Sequence, residues 1–119
     1  MMEYKVSRKV YANISSFYRN VAKKYRNTYS LEDLLRDTQK ARVSIFQIEN
    51  GLLRRNPTIS RWNGYFMANT DKWYFAYRIE GETIYVEDAC HAQNMHEAIT
   101  HRRLMQLIEE CVRDVLRQY

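Results

Sequence analysis

The spacing of apolar positions changes period three times along the chain. Tyr4 and Val6 alternate with polar neighbours over Glu3–Ser7, which predicts a short strand. From Asn13 the spacing becomes helical. Ile14, Phe17, Tyr18, Val21 and Tyr25 share one face, with Arg19, Lys23, Lys24 and Arg26 between them. Asn27-Thr28-Tyr29 predicts a turn, and Ser30 with Asp33 has the spacing of a capping box that opens a second helix. Leu31, Leu34, Leu35, Thr38, Ala41, Ile45, Ile48 and Leu52 form its stripe, with Asn50-Gly51 as the expected helix end. Two such helices joined by a short turn should pack antiparallel on a flat layer. Phe17, Val21, Leu35, Ile45, Phe75 and Tyr77 are the expected core.

Beyond a basic connection over 53–61, broken by Pro57, the period drops to two. Tyr65-Phe66-Met67 leads into the turn Asn69-Thr70-Asp71-Lys72. Trp73, Phe75, Tyr77 and Ile79 then alternate with Tyr74, Ala76 and Arg78, and Glu80-Gly81-Glu82 predicts a tight hairpin. Thr83–Cys90 is expected to place Ile84, Val86, Asp88 and Cys90 on one face. Asn94 with Glu97 reads as a second capping box. After it, Leu104, Leu107, Ile108, Cys111, Val112, Val115 and Leu116 predict a long last helix. The expected order is β-α-α-β-β-β-α. It describes one α/β (α+β) domain over residues 1–119, a helical hairpin on a small, mainly antiparallel sheet with a long C-terminal helix.

Charge sharpens this picture. Residues 1–62 carry 13 Lys and Arg against 5 Asp and Glu, whereas residues 63–119 carry 6 against 9. A basic first half suits a phosphate-rich or acidic partner, and equally well a set of solvated helix faces. Ten Tyr in a chain this short add rings with polar tips, suited to half-buried strands and to contact surfaces. No apolar run approaches the roughly 18 residues of a membrane span, and the start of the chain has no apolar signal core. Cys90 and Cys111 lack metal or disulfide spacing, so a reducing cytoplasm is the expected setting. His96 and His101 are five apart and so miss the shared face of a helical metal pair. No cofactor or metal is expected, and no phosphate-loop, dinucleotide, metalloprotease or serine-hydrolase motif occurs.

The candidate chemistry gathers where the last strand ends, at His91-Ala92-Gln93-Asn94. An imidazole can pass protons at neutral pH; it can equally hydrogen-bond the turn and fix the next helix. Arg54, Arg55 and Arg61 on the connection, with Lys72 and Arg78 from the strands, are interleaved with Tyr65, Trp73, Tyr74 and Tyr77. That mixture suits phosphate contact plus base stacking. For Trp73, Phe75, Tyr77 and Ile79, the alternation favours a core beneath the helices. Tyr74 and Arg78, on the opposite face, remain candidates for contact. The stripe over 104–116 is either core or a face for a second chain.

This layout resembles the RelE/ParE superfamily of toxins from bacterial toxin–antitoxin modules. The resemblance spans residues 2–98. It rests on the hairpin at 13–52, on WNGYF at 62–66, and on KWYFAYRIEGETIYVEDACH at 72–91 with the polar cluster after it. It implies a toxin silenced by a cognate antitoxin, with either of two activities: ribosome-dependent mRNA cleavage or poisoning of DNA gyrase. Tyr74 stands where the cleaving members often have Arg, and Gln93 and Asn94 stand where they have Arg or a His-Tyr pair. His91 stands where gyrase-directed members commonly have His. The sequence reading favours metal-independent mRNA cleavage. In that reading Arg61 and Lys72 bind phosphate, His91 transfers protons, and Tyr74 stacks or hydrogen-bonds at the scissile site. Arg54, Arg55, Arg61, Arg78, Gln93 and Asn94 would hold the nucleic acid. The alternatives are a non-enzymatic gyrase inhibitor and a degenerate binding module. The expected partners are the antitoxin, the ribosome with its mRNA or else gyrase, and a possible second copy, with no membrane.

Overall fold

The computed structural model describes residues 1–95. The elements are β1 (Glu3–Val6), α1 (Arg8–Lys24), α2 (Leu31–Ile45), β2 (Phe66–Thr70), β3 (Trp73–Glu80) and β4 (Thr83–His91). A last helix opens at 92–95, so the order follows β-α-α-β-β-β-α as the periodicity implies. The expected helix over 104–116 lies outside the described residues. Among those described, no helix is long and apolar enough to cross a membrane.

Local chemistry explains the helix starts. Ser7 caps α1 by accepting from the Lys9 amide, so α1 begins five residues before Asn13. Lys23 and Lys24 sit in its last turn, where cations suit the helix dipole. The Ser30–Asp33 box forms as expected. Asp33 N–H donates to Ser30 Oγ at 3.1 Å, and Ser30 N–H donates to Asp33 Oδ2 at 3.0 Å. The Ser30 amide on its carboxylate, with the Arg36 guanidinium beside it, holds the Asp33 carboxyl below the usual carboxylate range.

The far end of α2 departs from expectation. The helix stops at Ile45, and a separate 3-10 turn covers Ile48–Asn50. Only Ala41, Ser44 and Ile45 of α2 are buried, with Leu34 half-buried beside them. Leu35 is not core; it is 62% exposed, and Leu31 is 70% exposed. Leu35 lies about 100° around the helix from Leu34, so an arc centred on Leu34, Ala41 and Ile45 leaves it facing out. Phe17 is only half-buried against the core. Leu35→Ala should therefore change stability by less than about 0.5 kcal/mol, the scale of surface substitutions. Urea denaturation checks this, and a loss of several kcal/mol would put Leu35 back in the core.

The strands pair in the order β1-β4-β3-β2, with β1 parallel to β4 and both hairpins antiparallel. The two hairpins turn tightly, with Asp71 at φ 53° and Gly81 at φ 60°. Between β3 and β4 the register slips by one residue: Tyr77 opposes Val86, while Ala76 opposes Asp88. Glu87 is the extra residue, and such a bulge reverses which side chains face each way. Ile84 and Val86 therefore join the helix-side core with Ala89, while Cys90 turns to the other face. The four residues Ile84, Val86, Asp88 and Cys90 do not share a face.

Both faces of the sheet are covered. The helices pack Val10, Ile14, Tyr18 and Ile45 on Trp73, Phe75 and Tyr77. On the reverse face, Ile59 and Trp62 cluster with Met67, Ala76, Cys90 and Met95. The connection at 53–62 is thus a packed cover, with its arginines on the outside.

Candidate functional site

The polar cluster after β4 meets α1 and the Ser60–Trp62 turn around a cleft of about 270 Å³. His91 and Asn94 come from the strand end, Arg61 from the turn, and Asn13, Ser16 and Asn20 from α1. These α1 positions follow the spacing i, i+3, i+7 and so share a face with Phe17.

His91 forms part of the wall of this cleft. Its ring stacks on Phe17 with centroids 4.0 Å apart and planes at 12°, and meets Trp73 edge-on at 5.3 Å. The Gln93 amide donates to His91 Nδ1 at 3.1 Å, which leaves the proton of the neutral ring on Nε2. Burial, with Lys72 nearby, pushes the His91 pKa below its ordinary 6.5. A base needs a free lone pair, and the bond from Gln93 occupies the one on Nδ1. An acid needs the imidazolium, which burial and Lys72 disfavour.

A histidine depressed in the folded state binds fewer protons there than in the unfolded chain. Its contribution is therefore full above the unfolded value and falls as pH drops below about 6.5, until the folded value is passed. Wild type should lose more stability than His91→Phe over that interval. Equal losses in urea titrations at both ends would show that His91 is not depressed.

Beneath the cleft, Asp88 fastens the site together. Its carboxylate, at the bulge, accepts from Trp62 Nε1 at 2.8 Å and from Asn13 Nδ2 at 2.8 Å, with Lys9 Nζ at 3.6 Å. Asn13 also donates to the Ala89 carbonyl at 3.1 Å. One buried carboxylate therefore ties α1, β4 and the reverse-face cover at a single point. Cys90 lies beside it, its thiol pKa raised by burial.

The other sequence candidates are dispersed. Lys72 lies on the far side of His91, in a niche of about 80 Å³ shared with Tyr18, Asp37, Lys40 and Asp71. Gln93 lines a neighbouring cavity with Lys24 and Tyr25. Tyr74 is on the reverse face, packed against the Trp62 cluster. Arg78 is engaged by Glu80 and by Glu87 at 3.3 Å, with its guanidinium 4.0 Å over the Tyr85 ring. Arg54 and Arg55 serve through their backbones: Arg54 N–H donates to Tyr77 Oη at 2.9 Å, and the Arg55 carbonyl accepts from Met67 N–H at 2.9 Å. The fold brings His91, Arg61 and Asn94 together, with Lys72 behind the imidazole. Tyr74, Arg54, Arg55 and Arg78 line neither cavity beside His91.

No family model matches the chain, and no curated protein matches it. A solved structure does, one described as a chromosomal ParDE TA system from P. aeruginosa. The alignment covers 76% of this chain and 96% of that one, with a TM-score of 0.58 and 17% identity. At that identity the likeness is one of fold, and the β-α-α-β-β-β-α order expected from the sequence is the one observed.

Proposed function

We propose that this chain is the toxin of a type II toxin–antitoxin module, and that it acts by binding a protein target, as gyrase-directed members do. The likeness to a ParDE system supports the first part of this reading. The observation that carries the second is the state of His91, with Nδ1 occupied by the Gln93 amide and the ring depressed by burial. A group held in that way anchors a turn more readily than it moves protons. The dispersal of Tyr74, Arg54, Arg55 and Arg78 points the same way, since phosphodiester cleavage needs its charges and its proton carriers on one center.

Expressing the chain alone should arrest growth, and co-expression of the cognate antitoxin should restore it. His91→Phe, which keeps a ring on Phe17 but cannot transfer a proton, should arrest growth as wild type does once the amounts of folded protein are matched. Harmless expression of soluble, folded wild type would contradict the toxin reading. One observation favors mRNA cleavage as a second reading: Arg61, His91 and Asn94 do line one polar cleft. General acid–base catalysis typically contributes about 10²–10⁴-fold, so in that case His91→Phe would lose nearly all toxicity.

A further inference from the structure

We propose that the exposed face of α2 is a two-fold contact through which two copies of this chain pair, helix against antiparallel helix. The inference does not depend on the toxin reading. Leu31, Leu35, Val43 and Phe46 are 70%, 62%, 50% and 47% exposed, and they fall within about 120° around the helix axis. Along that axis they extend over about 22 Å. Gln39 and Arg42, both exposed, complete the face. Monomers seldom leave a contiguous apolar row of this kind bare.

The two ends of the face have opposite relief. At the N-terminal end the two leucines stand out from the helix. At the C-terminal end Tyr11, Gln39, Arg42, Val43 and Phe46 line a hollow of about 480 Å³. Tyr4 meets Phe46 edge-on at 5.2 Å, and Arg42 lies 5.4 Å over the Tyr11 ring, so the walls of the hollow are already braced. Gln39 stands four residues from Leu35 and four from Val43. A two-fold axis through Gln39 therefore sets Leu35 of each copy over Val43 of the other, and Leu31 beside Phe46. Each copy's leucines then fill the other's hollow, which is the self-complementarity that a two-fold contact needs. A parallel pairing would set leucine on leucine and leave both hollows unfilled.

Polar groups favor the same occupant. A second copy brings its own Gln39 to the axis, and a carboxamide both donates and accepts, so each satisfies the other. Glu32 and Arg42 are exposed, and among the described residues neither has an ion-pair partner. In the antiparallel pairing Arg42 lies one helical turn, about 5.4 Å, from Glu32 of the second copy, within reach of its long side chain. Arg36 of that copy lies between them, its charge offset by Asp33 at 3.0 Å and Asp37 at 3.3 Å.

Sedimentation equilibrium of the full chain over a range of concentrations tests the proposal. Wild type should pass from monomer to dimer as concentration rises. Leu35→Glu places a charge in the hollow and should weaken dimerization about tenfold or more, whereas Lys5→Glu in β1 should dimerize as wild type does. Disulfide trapping locates the axis independently. In a Cys111→Ser background, Gln39→Cys should cross-link to its own counterpart under mild oxidation, and Lys5→Cys should not. A chain that stays monomeric throughout, as it would if its own residues 104–116 covered the face, would overturn the proposal. So would a dimer that Leu35→Glu leaves intact, or one that Lys5→Cys links as readily as Gln39→Cys. A face that becomes covered only when an antitoxin is added would overturn it as well.

Discussion

Trp73→Ala is expected to lower stability by about 3–5 kcal/mol, a large share of the roughly 5–15 kcal/mol that holds a domain folded. Trp73 is 1% exposed and lies where α1, β3 and β4 meet. Its ring contacts Phe17, Phe75 and His91, and its indole N–H donates to Tyr18 Oη at 3.2 Å. Removing it leaves a void under the His91 wall and an unmatched hydroxyl on Tyr18, whose pKa burial already raises. Trp73→Phe keeps a ring but loses the hydrogen bond, and should cost on the order of 1 kcal/mol beyond the loss of size. Urea midpoints for the two variants check the ranking. A Trp73→Ala protein within about 1 kcal/mol of wild type would show that this junction is not the core's center.

Asp88→Ala should be nearly as damaging, on the order of 3 kcal/mol, for a different reason. Little volume is lost, but the Trp62 indole N–H and the Asn13 amide lose a charged acceptor. Both the reverse-face cover and α1 would loosen from β4. Asp88→Asn is isosteric and retains one acceptor oxygen, so its loss should fall between wild type and Asp88→Ala. Amide exchange gives the clearest reading, because protection should drop together around Trp62 and in the first half of α1. If only one of these regions responds, Asp88 does not join them.

Features encoded within a few residues could be read from the sequence. The Ser30–Asp33 box, the turns at Asp71 and Gly81, and the alternation of Trp73, Phe75 and Tyr77 each depend on neighbors in sequence, and each is present. Features that depend on what another element covers were harder to read. A helical stripe does not say which arc is covered, so Leu35 looked like core although the sheet reaches only Ala41 and Ile45. Strict alternation cannot announce a bulge, so period two alone puts Asp88 and Cys90 on the wrong face. The connection at 53–61 reads as basic because it carries Arg54, Arg55 and Arg61, yet Ile59 and the adjoining Trp62 decide where it packs. At the site, His91 and Asn94 stood out from sequence. Asn13, Ser16 and Asn20 did not, because small polar residues on a helix usually face only solvent.

The measurement closest to the central claim pairs two assays on one preparation: gyrase supercoiling, and primer extension on ribosome-bound mRNA. Wild type and His91→Phe are both predicted to block supercoiling while leaving no new mRNA 5′ ends. Codon-positioned cleavage by wild type, abolished in His91→Phe while ribosome binding persists, would contradict the account and make His91 a catalytic residue.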